Sequence, residues 1–260
     1  MAIVISGNGI DMGGNPVSNA SQIEVQQEQV SPFNGFKNYI INGKKVVNQR
    51  KLTSTDNSYN QDRWYKSGNN WYQGIEGNNN LISGKTYTLS WEGTAIASYY
   101  VGTATSATIN SQTFTPISNG ESFTLTIAAG QNLWIKFTSD AAGSTFNFVQ
   151  LEEGSAATPF EHRPYGLELS LCHRYYEVKR VLEHAQANVF YSNWRYLPFI
   201  SFVLKRVVPT ISFLSISVYP NSNTDTTNYI FNASDSGVVV VDISARGTIY
   251  TFTILINAEL

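Results

Sequence analysis

Charge is scarce in this sequence. Only 14% of its 260 residues are Asp, Glu, Lys or Arg, against about a quarter in an ordinary soluble domain. The balance of 17 basic and 19 acidic residues gives a net charge of −2, too little for a global field that draws in nucleic acid. Cysteine is scarcer still. The lone Cys172 excludes an internal disulfide and a thiolate metal cluster within one chain. No apolar run approaches the length of a membrane-spanning helix, and no membrane insertion is expected. The opening MAIVISGNG has neither the basic start nor the long apolar core of a secretion signal. The motifs G-x-S-x-G and H-E-x-x-H and a Gly-rich phosphate loop are also missing. His162, His173 and His184 lack the i, i+4 spacing of a metal pair. Asn221, Asn223 and Asp225 alternate as calcium ligands can, but without the Gly turn or terminal Glu of a calcium loop. An ordinary polar loop is expected there, and neither cofactor nor metal is expected anywhere.

Asn, Ser, Thr, Gly and Tyr take the place of charge. β-Branched and aromatic side chains suit pleated sheets, and Asn and Gly suit tight turns. Apolar residues reach 42%, enough for a core. The expectation is therefore an all-β protein: an antiparallel jelly-roll sandwich, then a smaller β-sandwich tip domain, after a short N-terminal shaft segment.

Three regions follow from the pattern. Residues 1–34 carry spaced Ile, Met and Val among Gly, Asn and Gln, too few to bury a core alone. Residues 35–160 read as short strands separated by turns. Asn42-Gly43 suits a hairpin between FKNYIING and KVVNQR, and TYTLSWEG places Tyr87, Leu89 and Trp91 on one face. FNFVQLEE closes the set, with Phe146 and Phe148 facing one way. Residues 161–260 begin with the best helix candidate, LELSLCHRY at 167–175, where Leu167, Leu171 and Tyr175 recur at four-residue spacing. Strands then return to the end of the chain. Pro159 and Pro164 flank the junction between the second and third regions.

The run QLEEGSAATPFEHRPYGLELSLCHRYYE resembles a junction in phage and prophage tail fibres and receptor-binding proteins. There it joins a carbohydrate-binding-module-like sandwich to a C-terminal tip domain. NYIINGKKVVNQR followed by DRWY resembles the start of that sandwich; VVPTISF and YTFTILINAEL resemble strands of the tip; GIDMGGNPVSNAS is similar to motifs that end fibre shafts. The resemblance implies a homotrimer in the virion tail fibre that recognises a bacterial surface polysaccharide or lipopolysaccharide during host adsorption. It also implies contact with other tail proteins through the N-terminus. The reading is non-catalytic. The alternatives are a virion-associated glycan depolymerase or esterase, and a purely structural tail spacer.

Sugars lay their apolar faces on flat aromatic rings, and polar groups bond their hydroxyls. In DRWY and NNWY, consecutive aromatics face opposite sides of a strand. Tyr65, Tyr72 and Tyr99 are the candidates for the exposed side, and Trp91 and Trp134 are expected in the core. In NVFYSNWRYLPF, the residues Tyr191, Trp194, Arg195 and Tyr196 sit beside a Ser-Asn turn and form a candidate binding tip. Arg174, Lys179, Arg180, Arg195, Lys205 and Arg206 form a basic band against only Glu177 and Glu183. Such a band suits an anionic glycan, or simply a solvated face. Glu152 and Glu153 are adjacent on a strand, point to opposite faces and cannot form a hydrolytic pair with each other. Glu161, His162 and Arg163 are expected to pin the junction by hydrogen bonds.

Overall fold

A computed structural model describes residues 36–52, 55–77, 80–139, 143–184, 195–196, 200–219, 229–234, 236–242 and 249–259. The expected shaft segment, 1–34, lies outside these residues. The fold is all-β with antiparallel pairing throughout the described strands. Nine strands come first: β1 (Ser58–Gln61), β2 (Trp64–Ser67), β3 (Asn70–Glu76), β4 (Thr86–Gly93), β5 (Ile96–Gly102), β6 (Thr115–Ile117), β7 (Ser122–Thr124), β8 (Asn132–Thr138) and β9 (Phe146–Glu153). They make a six-stranded sheet of order β1-β2-β3-β8-β5-β6 and a three-stranded sheet of order β7-β4-β9.

An aromatic core joins the two sheets. Alternation turns Tyr87, Leu89 and Trp91 of β4 inward, as expected, and all three are buried. From the other sheet, Phe137 lies flat on Phe146 with centroids 4.4 Å apart and meets the edge of Trp91 at 5.2 Å. Trp64 closes the cluster, 5.2 Å from Phe146. Strand β8 is covered on both faces: Leu133, Ile135 and Phe137 point one way, Trp134 the other, and each is 0% exposed.

The expected hairpin strands around Asn42-Gly43 do not form. The turn is there, with Lys45 N–H donating to the Asn42 carbonyl at 2.8 Å, but its flanks are irregular. Buried amide side chains replace the missing strand partner. Gln73 bonds both the N–H and the carbonyl of Ile41, each at 2.9 Å. Asn42 holds Val47 N–H at 3.0 Å and the Val47 carbonyl at 2.8 Å, and Asn38 Oδ1 accepts from Ile40 and Leu151. A backbone group inside a protein must find a partner, and here side chains provide it. Gly43 is required by closeness: a Cβ there would lie 2.2 Å from the Val149 carbonyl oxygen.

Strand β9 also departs from simple alternation. Its register against β4 shifts between Ser90 and Glu92, and Phe148 takes a φ of +48°. This bulge adds a residue. Phe146, Val149 and Leu151 are buried, while Phe148 meets Phe160 and His162 edge-on. Phe146 and Phe148 therefore do not share a face as the alternation predicted.

The helix expected at 167–175 is α1 (Tyr165–His173), entered through Pro164. Its buried residues are Glu168 and Cys172, one turn apart, while Leu167 and Leu171 are only half-buried. The remaining strands are β10 (Tyr176–His184), β11 (Arg195–Tyr196), β12 (Ile200–Ser201), β13 (Thr210–Tyr219), β14 (Tyr229–Ala233), β15 (Gly237–Asp242) and β16 (Ile249–Asn257). One sheet has the order β10-β16-β13; in the other, β14 lies on one edge of β15 and β11 and β12 pair with it separately. Residues 36–260 cluster as one compact unit.

Candidate functional site

The junction is built from carboxylates and an arginine that bond backbone. Glu161 accepts from the N–H groups of Lys37 and Asn38, both at 3.1 Å, and pairs with Arg163 at 3.2 Å. Arg163 donates to the carbonyls of Ile40, at 3.1 Å, and of Asn38. Glu168 accepts from Asn42 N–H and lies 3.5 Å from Arg163. Glu161 and Arg163 thus pin the junction as expected, and His162 contributes ring contacts with Phe148 and Phe160. Glu152 is buried and Glu153 exposed, in keeping with opposite faces. Glu152 accepts from Thr158 N–H at 2.8 Å and Thr158 Oγ1 at 2.5 Å. Burial pushes its carboxyl up, but these bonds outweigh burial and hold it below the usual range.

A second cluster, the seam, lies where residues after the C-terminal strand β16 meet Arg50 and the β1–β2 turn. Arg63 is 1% exposed. It donates to Glu259 and to the Gly74 carbonyl, and its guanidinium lies 3.5 Å from the centroid of Tyr175. Arg50 stacks on Tyr176 at the same distance, 3.5 Å. It sits 3.4 Å from Glu259 and 3.6 Å from Asp62. Asp62 in turn accepts from Gln49 N–H at 3.0 Å and Gln49 Nε2 at 2.6 Å. Burial raises the Asp62 carboxyl despite these partners. Burial also raises the Tyr175 phenol, to about 12.

Above this cluster opens a cleft of about 420 Å³, within the size range of small-ligand sites. Tyr59 and Tyr65 form an aromatic corner in it, ring centroids 5.4 Å apart and edge to face. Asn57, Ser106, Asn257 and Glu259 add polar groups, and Arg50 reaches it from the ion cluster. The Arg50 side chain is 9% exposed, and its Nη1 is buried without a hydrogen-bond acceptor.

Tyr65 and Tyr72 correct an expectation. They are directly paired across β2 and β3 and share the outer face of the sheet, but are only 8% and 2% exposed. The loop after β5 folds back over them: Ala104 and Ile109 join them and Trp134 in one buried cluster, with Phe114 packed against it. Trp134 Nε1 donates to the Ala104 carbonyl at 3.1 Å and fastens the loop. Trp91 and Trp134 are core, as expected. Tyr99 is half-buried and stacks on Phe123 at 4.3 Å, so it joins the two sheets and is not brought to the cleft.

Tyr191 and Trp194 of the expected tip lie outside the described residues, as do Asn221, Asn223 and Asp225. Arg195 and Tyr196 lie on β11, opposite Asp242 and Val241 of β15. The expected basic band is largely neutralised. Glu76 faces Arg174 at 3.0 Å and Arg206 at 3.8 Å. Glu177 faces Lys205 at 2.8 Å and Lys179 at 3.5 Å. Both acids lie outside the run of basic residues or early in it, so sequence spacing alone understates the pairing. Sequence reasoning also missed Arg50, Tyr59 and Glu259, which are far apart in the chain and carry no local motif. Among the described residues, no group of three or more His, Cys, Asp or Glu could hold a metal ion.

The fold and site together define an all-β antiparallel protein with an aromatic and polar cleft beside a buried ion cluster. No protein-family model matches the chain, and neither a curated protein nor a solved structure does so.

Proposed function

We propose that this protein is a non-catalytic receptor-binding module of a phage tail fibre that recognises a bacterial surface glycan and works as a homotrimer. The observation that carries the glycan reading is the cleft: two tyrosine rings meet beside a charged pair and several amide and hydroxyl groups. A sugar ring would lay a C–H face on the half-buried Tyr59, with the largely covered Tyr65 forming the back of the corner. Its hydroxyls would bond Asn57, Asn257 or Glu259 of the lining. Assignment to a tail fibre rests on the resemblance of the junction run at 150–177, and with it the virion location and contact with other tail proteins.

The test is a glycan array with the purified full chain, followed by the Ser106→Phe variant, whose ring would fill the cleft from its rim. The expected result is binding to a defined set of surface glycans that drops at least tenfold in the variant, with its melting temperature unchanged. Equal binding by both forms sinks the cleft as the reader. Shortened polysaccharide chains after incubation would replace this reading with that of a depolymerase.

A further inference from the structure

The charges beneath the cleft balance one another. Arg50 and Arg63 face Asp62 and Glu259, two cations against two anions, all with buried side chains. Only Arg50 and Glu259 of the four line the cleft. Arg50 Nη2 reaches Glu259 at 3.4 Å and its Nη1 lies 3.6 Å from Asp62. Tyr176 covers a face of its guanidinium. The one cation of the described lining is therefore already matched twice, with no charge to spare for a ligand. Glu259 differs in kind. A carboxylate has more lone pairs than two arginines consume, so it still accepts from a hydroxyl, but it repels an anion.

The other hydrogen-bonding capacity of the lining is uncharged. Thr210 and Asn257 are register partners between β13 and β16, and both are exposed. Asn257 Oδ1 accepts from Glu259 N–H at 3.2 Å, while its amide nitrogen has no acceptor among the described residues. Asn57 is arranged alike: its Oδ1 accepts from the Ser67 hydroxyl at 2.6 Å, and its amide nitrogen also has no acceptor among the described residues. Leu52 and Tyr59 supply the apolar part. Lys51, next in the chain to Arg50, is exposed and not part of the lining. A sugar hydroxyl asks only for amides, hydroxyls and a carboxylate acceptor. An ionised carboxylate or phosphate brought here would be a fifth charge beside Glu259. Taking a charge out of water without a partner is strongly unfavourable.

We propose that the cleft takes uncharged sugar units and discriminates against sugars that carry a carboxylate or a phosphate. The proposal rests on the glycan reading of the cleft given above and names the chemical class of its ligand. The experiment applies the full chain to an array in which each neutral oligosaccharide stands beside its uronic-acid and phosphorylated counterparts of the same linkage. The best binder is then titrated by calorimetry at low and high salt. Ser106→Phe and Thr210→Phe narrow the cleft from two different elements and report whether binding occurs there, with near-ultraviolet circular dichroism to confirm folding. Neutral glycans are expected to bind at least about tenfold more tightly than their acidic counterparts, because like charges a few ångströms apart repel. Raising sodium chloride from about 50 to about 500 mM should change that affinity by less than roughly twofold, since no ligand charge is there to screen. Both variants should lose the binding. Should both misfold, the ratio of neutral to acidic binding and its salt dependence decide the ligand class. Acidic glycans bound as tightly as neutral ones, and lost in the variants, overturn the neutral class and leave the cleft as the reader. A neutral preference that survives in both folded variants overturns the cleft and this proposal together, as does an array on which nothing binds.

Discussion

The junction and the seam use the same residue types for different work. At the junction, Arg163, Glu161 and Glu168 spend their hydrogen bonds on the backbone of Lys37, Asn38, Ile40 and Asn42. At the seam, Arg50 and Arg63 both bond Glu259, Arg50 also faces Asp62 as an ion pair, and the two lie against the rings of Tyr176 and Tyr175. The first shapes a segment that has no strand partner. The second binds charges to charges beneath a cleft. A buried charge is tolerated in both places because it is paired, but what it is paired with decides how each responds when broken.

The largest expected effects come from removing either arginine. Arg163→Met and Arg63→Met should each destabilise by about 3–5 kcal/mol, as loss of one partner of a buried pair does, measured by urea unfolding. The pairing partners then separate the two sites. Adding Glu259→Gln to Arg63→Met should recover much of the loss, because both charges leave together. Adding Glu161→Leu to Arg163→Met should cost more than either change alone, because the backbone groups of residues 37–40 are left without partners. Equal behaviour of the two double variants would erase the distinction.

Acid should separate them next. Burial raises the Asp62 carboxyl at the seam. The cost of its charge is therefore present above its folded pKa and lifts as pH falls through it. Glu152, beside the junction, is held low. Its contribution is complete above its unfolded pKa and disappears as pH falls through the folded one. Asp62→Asn should therefore flatten stability against pH on the limb above the ordinary carboxylate range, and Glu152→Gln on the limb below it. Denaturant titrations at stepped pH measure both.

The smallest effect marks the baseline. Lys85 and Glu153 pair at 2.9 Å, but their side chains are 51% and 39% exposed. Lys85→Ala should change stability by less than about 1 kcal/mol, and added salt should reduce even that.

Period-two alternation and scarce charge were enough, from the sequence alone, for an antiparallel β fold, for the inward side of β4 and for core positions at Trp91 and Trp134. Two prolines around a run of charged residues marked the junction, and helix spacing placed α1 within two residues of its observed ends. Alternation states which side chains share a face; it does not state what is laid over that face. Tyr65 and Tyr72 share the outer face of the sheet, but the loop carrying Ala104, Ile109 and Phe114 decides that they are buried. Glu168 lies inside because an unpaired Asn42 N–H needs it, and Lys205 because Glu177 is there to receive it. One bulge at Phe148 reverses the expected side of an aromatic ring. The cleft joins Arg50, Tyr59 and Tyr65 to Asn257 and Glu259, roughly two hundred residues later. Such meetings arise from chain crossings, and local sequence spacing carries no record of them.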